Sequence, residues 1–280
     1  MPDRREVTSH YTHGNLLDAI RDGIRKLGKT VDQVLVDDLG PVDEFHIGGR
    51  VATENFLDQL DINDTHHVLD VGCGLGGASR YAAQRYGCRV TGIDLTPEYV
   101  ETGNTLCEWV GLSNQIRLEV EDATALSHPD NTFDRAYLMH VGMNIEDKDT
   151  LAAELHRVVR PGGRVGIYDV MQVGEGELQF PVPWAAEQAG SSVSSPAIYK
   201  AALGSAGFNI LSERNRQDFA LEFFADLQTK AGSAEGPAPL GLHLLMGDTR
   251  AMKVKNMVEN IARNLIAPVE LVAEKSTVSG

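Results

Sequence analysis

Nowhere do apolar residues run together for the roughly 18 positions that a membrane-spanning helix needs. No apolar stretch follows the charged start Met1-Pro2-Asp3-Arg4-Arg5-Glu6 as it would in a secretory leader. Positive charge is in short supply: 25 Lys and Arg stand against 40 Asp and Glu, a formal net charge of −15. Such a chain lacks the clustered cations that a phosphate backbone demands, which argues against a nucleic-acid partner and against docking on anionic membrane. Cysteines are few. Cys73, Cys88 and Cys107 show no paired metal-ligand spacing, and an odd number without a secretory context points to a reducing compartment. Internal repeats and low-complexity tracts are missing too. The expectation is a cytoplasmic protein with no bound metal and no membrane insertion, free to form a homo-oligomer.

What is present is an ordinary globular composition, 42% apolar and 23% charged over 280 residues. That is enough to bury a full core as one large domain, or one domain with a cap. Strand signals at His67–Val71, Arg89–Ile93, Ile116–Val120, Phe133–Met139 and Arg164–Val170 alternate with helix signals. The helices start at Ala78, span Pro97–Gly111, and span Asp147–Val159, the last stopped by Pro161-Gly162-Gly163. Alternation of this kind marks a parallel sheet covered on both faces. A helix from Ser195-Pro196 to Gly207, a sixth strand from Phe208 and a last strand at Val269–Ala273 complete seven strands. The fold class is therefore α/β, a Rossmann-like, doubly wound seven-stranded sheet.

Two segments fall outside that alternation. Residues 1–60 read as a helical N-terminal extension or lid: apolar positions recur at helical spacing from Asn15 to Leu27, then at Val31–Val36 and Val51–Leu60. A polar, glycine-containing bend at Pro41–Arg50 interrupts them. Residues 217–267 read as a helical substrate cap inserted before the last strand, because a plain hairpin would need only a few residues there. Helix signals at Phe219–Lys230 and within Leu240–Ile266 flank a loop at Gly232–Pro239. Residues 61–216 and 268–280 make up the ligand-binding domain.

The first strand breaks into Gly72-Cys73-Gly74-Leu75-Gly76-Gly77 before a helix. A strand–glycine turn–helix lets backbone approach a ligand closely, and glycines 72, 74 and 77 satisfy a dinucleotide fingerprint. Asp70, two residues before the first glycine, speaks against a dinucleotide. Its carboxylate would repel a pyrophosphate and suit a cationic ligand such as S-adenosylmethionine, with its sulfonium and α-amino group. Acids recur at successive strand ends. Asp94 is placed to accept from both ribose hydroxyls, Asp122 from the adenine amino group, and the Ala123 N–H can read a ring nitrogen. Leu95 can cover one adenine face, Asp70 and the Gly72 backbone can face the amino-acid end, and Gly74, Gly76 and Met139 complete the cofactor set.

This segment resembles the first motif of class I S-adenosylmethionine-dependent methyltransferases, and residues 66–170 follow that family's order. Within the class the chain is similar to the sarcosine/dimethylglycine methyltransferases of betaine synthesis, and more distantly to phosphoethanolamine and quinone-pathway methyltransferases. Phe45-His46-Ile47-Gly48, Gly76-Gly77-Ala78-Ser79-Arg80-Tyr81 and Asp169-Val170-Met171-Gln172 carry the likeness. Leu138-Met139-His140-Val141-Gly142-Met143-Asn144-Ile145 departs from the Ser-Gln-Asp type of pattern there, where acceptor meets methyl. No Asn-Pro-Pro-Tyr motif of base methylation is present, nor a paired-glutamate loop, nor a catechol-type metal site.

The resemblance implies methyl transfer to a small molecule, with N-methylation of an amine such as glycine, sarcosine or dimethylglycine as the first reading. C-, O- or S-methylation of a quinone-like metabolite is the alternative within enzymes, and a non-catalytic, S-adenosylmethionine-binding regulatory protein the alternative outside them. His140 stands where a general base would sit, or serves as a structural histidine bonded to backbone. Tyr11, His46 and Asn144 are further candidates on the lid side. Arg50, Arg214 and Arg216 are candidates to clamp a substrate carboxylate.

Overall fold

Period-two alternation sends neighbouring side chains of each strand into different cores. Val68 and Tyr137 pack with Ala52, Phe56, Ala82, Ala83, Val100 and Cys107 on one face. Leu69, Val71 and Leu138 pack with Leu151, Leu155, Tyr199 and Leu203 on the other. The computed structural model that shows this describes residues 11–12, 14–232 and 238–277. His10 and His13, which flank Tyr11, lie outside the described residues, as does most of the Gly232–Pro239 loop.

Seven strands form one sheet in the order β3-β2-β1-β4-β5-β7-β6. They are β1 (His67–Val71), β2 (Arg89–Asp94), β3 (Ile116–Val120), β4 (Phe133–Met139), β5 (Val159–Gln172), β6 (Phe208–Asn215) and β7 (Ile266–Lys275). The first five run parallel, and β7 inserts antiparallel between β5 and β6. The strand order reverses at β1, which pairs with β2 on one side and β4 on the other, Asp70 lying opposite Gly92 and Tyr137. Such a switch point opens a crevice beyond the carboxyl ends of the strands.

Before the sheet come α1 (Leu16–Lys26), α2 (Val36–Asp43) and α3 (Gly49–Leu57). The helices that follow are α4 (Gly77–Tyr86), α5 (Pro97–Trp109), α6 (Lys148–Val158) and α7 (Pro196–Ala206), then α8 (Gln217–Gly232), α9 (His243–Met246) and α10 (Arg250–Ala262). Leu16, Ile20 and Ile24 of α1 are buried at four-residue spacing, and Gly23 between them admits Leu240. A β-carbon on Gly23 would sit 2.4 Å from a Leu240 methyl. The N-terminal helices thus share a core with residues 240–245, joined by Leu75, Tyr99 and Leu106.

Three boundaries differ from the periodicity. The expected helix at 31–36 is a 3-10 turn, Val31–Gln33, and the α-helix lies beyond it at Val36–Asp43, with Pro41 inside. Proline there removes one backbone donor, and the carbonyl it deprives belongs to exposed Asp37, within reach of water. Pro161-Gly162-Gly163 stops α6 as expected, but it lies inside β5, as an irregularity in the pairing with β4. The last strand runs from Ile266 to Lys275, longer than its apolar run, because both its neighbours pair with it.

Candidate active site

Beyond the carboxyl ends of β1, β2 and β4 lies a cavity with about 1100 Å³ of empty space, its mouth included. Asp70, Gly72, Gly74, Asp94, Leu95, Asp122, Ala123, Met139, His140, Tyr11, His46 and Asn144 all line it. Gly76 does not. It begins α4 at φ 80°, and a β-carbon there would meet Leu118 at 2.9 Å, so this glycine serves packing rather than the cavity wall.

Gly72 is glycine for two reasons. Its φ is 69°, and a β-carbon would lie 2.4 Å from a Val141 methyl. The turn it opens is braced from β2: Asp94 Oδ2 accepts the Gly74 N–H at 2.9 Å, and Oδ1 accepts the Thr96 N–H at 2.8 Å. Each carboxylate oxygen keeps acceptor capacity for a diol. Burial raises the Asp94 pKa, against the pull of those backbone donors. Asp122 Oδ1 accepts from the Thr124 N–H and hydroxyl, both at 2.7 Å, which shapes the loop after β3.

Asp70 is almost fully buried, and Ser79 of α4 donates to its Oδ2 at 2.6 Å. Burial pushes its carboxyl up to about 6 from an ordinary 3.8. The stability tied to that shift is fully present below the ordinary value and is lost as pH rises through about 6. Replacing Asp70 by Asn, which can still accept from Ser79, is expected to relieve that loss by on the order of 2 kcal/mol. Scanning calorimetry should show Asp70→Asn melting above wild type at pH 8 and close to it at pH 4; an equal gap at both pH values would contradict this.

At the other end of the cavity, β4 runs into a tight corner. His140 holds φ 58° and donates its N–H to the Tyr168 carbonyl at 2.7 Å. Asp169 of β5 pins the next two residues, accepting the Val141 N–H at 2.8 Å, the Gly142 N–H at 3.0 Å and the Tyr199 hydroxyl at 2.9 Å. The corner turns the His140 ring inward, 5.1 Å from Tyr168 and 6.0 Å from His46. Its Nε2 is buried without a partner, a polar atom that a ligand would satisfy. Burial drives its pKa well below the usual range. Tyr11, whose phenol burial shifts upward, bonds Asn144 and packs near Phe45 and Tyr99.

The three arginines considered as clamps, Arg50, Arg214 and Arg216, are not among the residues that line the cavity. Arg50 meets Glu44 at 2.8 Å and stacks on Tyr81, while Arg214 and Arg216 converge on buried Glu270. Pattern reading missed Asp43, which lines the cavity and pairs with Arg80 of α4 at 2.5 Å, both side chains fully buried. It missed Glu44 and Thr53 too, whose only local signal is proximity to Phe45-His46-Ile47-Gly48, and it gave Asp169 no role beyond membership of Asp169-Val170-Met171-Gln172. Glu119 of β3, Glu121 just beyond the strand and His128 also bring three donor atoms within 4.8 Å, a group that could hold a cation.

Residues 69–167 match the profile of the methyltransferase domain. Phosphoethanolamine N-methyltransferase of Triticum aestivum is 33% identical over 189 residues, 67% of this chain and 36% of that protein. The 2-methyl-6-phytyl-1,4-hydroquinone methyltransferase of Synechocystis is 43% identical over 113 residues, 40% of this chain and 34% of that one. The chain thus spans about a third of the length of either relative. Geranyl diphosphate C-methyltransferase from Streptomyces coelicolor shares the fold, with a TM-score of 0.71 at 18% identity over 98% of both chains.

Proposed function

We propose, from the match of residues 69–167 to the methyltransferase domain, that the chain is an S-adenosylmethionine-dependent methyltransferase acting on a small molecule. One observation carries the reading: Asp94 accepts the Gly74 N–H while lining the crevice at the switch point, so the glycine turn and the diol acceptor form one braced unit. When bound, S-adenosylmethionine supplies a methyl group on a positively charged sulfur. Asp94 would hold the ribose hydroxyls, Asp122 and the Ala123 N–H the adenine edge, and Leu95 and Met139 its faces. Asp70 and the glycines at 72 and 74 would face the amino-acid end. Direct displacement at carbon requires the acceptor, the methyl and the sulfur in line, so positioning and exclusion of water are the protein's main contributions.

Residues 1–60 and 217–267 act as lid and cap in this reading. Tyr11 and Leu245 come from those segments and line the cavity, and α1 packs against Leu240. The acceptor end is formed by His140, His46, Tyr11 and Asn144. N-methylation of an amine is the first reading, supported by the phosphoethanolamine relative. C- or O-methylation of a quinone-like ring is the second, favoured by the unpartnered His140 Nε2, which suits a phenolic hydroxyl.

Transfer of labelled methyl to glycine, sarcosine, dimethylglycine, phosphoethanolamine, simple thiols, phenols and a hydroquinone tests both. Label on an amine is the expected result, and label confined to the ring compounds would install the second reading. Tight S-adenosylhomocysteine binding with no transfer to a whole metabolite extract would sink both and leave a non-catalytic binding protein.

A further inference from the structure

We infer that Glu44 and Thr53 fix His46 as the Nε2–H tautomer, making its Nδ1 the atom that receives the proton released by the methyl acceptor. The inference rests on the methyltransferase reading and adds that the acceptor carries a proton on its attacking atom.

The argument begins with who holds which proton. Thr53 Oγ1 lies 2.6 Å from Glu44 Oε2, and the hydroxyl donates to the carboxylate. Its proton is then committed, so toward the His46 ring Thr53 can only accept. His46 Nε2 faces three oxygens: the Gly49 carbonyl at 3.1 Å, Thr53 Oγ1 at 3.0 Å and Glu44 Oε2 at 3.4 Å. All three want a donor. A ring nitrogen among acceptors carries the hydrogen, and in a neutral imidazole the other nitrogen is then an acceptor. Burial keeps this ring uncharged, lowering its pKa to about 4.

His46 rather than His140 is suited to become charged. Both rings line the cavity. Among the described residues, the rings against His140 are the uncharged ones of His46 and Tyr168, and its Nε2 has no partner. His46 has a buried carboxyl at 3.4 Å, itself held by Arg50 at 2.8 Å. Asp43, paired with Arg80, and Arg50 are the other charges in this corner. Burial pushes Glu44 up to about 7, so its charge is costly at rest and is repaid when an imidazolium forms beside it. A base steadied by an orienting carboxyl is a recurrent catalytic arrangement.

The step balances. The acceptor's attacking atom gives its lone pair to the methyl carbon, the carbon–sulfur electron pair returns to sulfur, and the proton from the attacking atom passes to His46 Nδ1. Glu44 is a positioning residue, because it acts through His46.

The first readout needs no acceptor. Two-bond nitrogen–proton correlation spectra of protein labelled in histidine nitrogens, taken at pH 7 with and without S-adenosylhomocysteine, should show His46 protonated at Nε2. Glu44→Gln places an amide donor beside the same nitrogen and is expected to move the hydrogen to Nδ1. With any amine or phenol that accepts label, the same variant should lose about a hundredfold or more in kcat with KM for S-adenosylmethionine within threefold. A wild-type His46 protonated at Nδ1 overturns the inference even if Glu44→Gln does not fold, and so does a folded variant with unchanged tautomer and kcat. Calorimetry with S-adenosylhomocysteine on the same samples separates this failure from failure of the cofactor reading.

Discussion

Asp94→Ala is expected to weaken S-adenosylmethionine binding by about 10²–10⁴-fold. A carboxylate that accepts from two hydroxyls makes charge-assisted hydrogen bonds worth roughly 1.5–3 kcal/mol each, and every 1.4 kcal/mol is about tenfold in affinity. The variant also loses the acceptor for the Gly74 and Thr96 N–H groups, which lie 2.9 and 2.8 Å from its oxygens. The glycine turn would slacken, adding to the loss. Asp94→Asn separates the two effects. Its amide oxygen can still serve one backbone N–H, so the turn should persist while one ribose acceptor becomes a donor. Titration calorimetry with S-adenosylhomocysteine should rank wild type, then Asn, then Ala. An Asp94→Ala variant that binds within threefold of wild type would remove the diol role from this residue.

The second large effect concerns folding. Arg80 and Asp43 meet at 2.5 Å with both side chains at 0% exposure, joining the N-terminal helix α2 to α4. Arg80 also reaches the Gly103 carbonyl and Cys107 Sγ, both at 3.4 Å. Asp43→Ala would strand a guanidinium in a dry site, and breaking such a pair from one side costs about 3–5 kcal/mol. In a domain of this size that lowers Tm by roughly 10 °C. Asp43→Leu with Arg80→Met, which removes both charges, should recover most of the loss. A double-mutant cycle read by thermal melting measures this, and a double variant no more stable than Asp43→Ala would show that shape, not charge, dominates there. Loss of the pair should also loosen the roof, because Asp43 lines the cavity and its backbone carbonyl lies 2.5 Å from where a Gly77 β-carbon would be.

Much of the fold was legible in the sequence, and so were most of the called residues that the fold brings to the cavity. β4 spans Phe133–Met139 as the sequence signals, its apolar second half Ala136–Met139 buried and Asp134 and Arg135 near its start only half-buried, because the strand enters the core from the rim of the sheet. Asp94 follows the last apolar residue of β2, and Asp70 precedes the glycine turn by two residues, so covalent distance alone puts them at the crevice. Gly76 was grouped with that set by the same closeness. Its backbone instead turns away to begin α4.

What required tertiary structure is of another kind. Arg80 and Asp43 are 37 residues apart, and neither type in its local pattern announces a buried partner. His46 is a plain candidate until Thr53, one helical turn past Gly49, brings Glu44 onto the same ring nitrogen. His140 points inward only because Asp169, on another strand, holds the two amides after it. Local sequence determined the strands, the glycine turn and the acids at strand ends, since steric and solvation preferences act over a few bonds. Charge pairing, proton placement and the aim of the two histidines were decided by packing between distant segments, where burial strengthens each polar contact and makes every unmatched one costly.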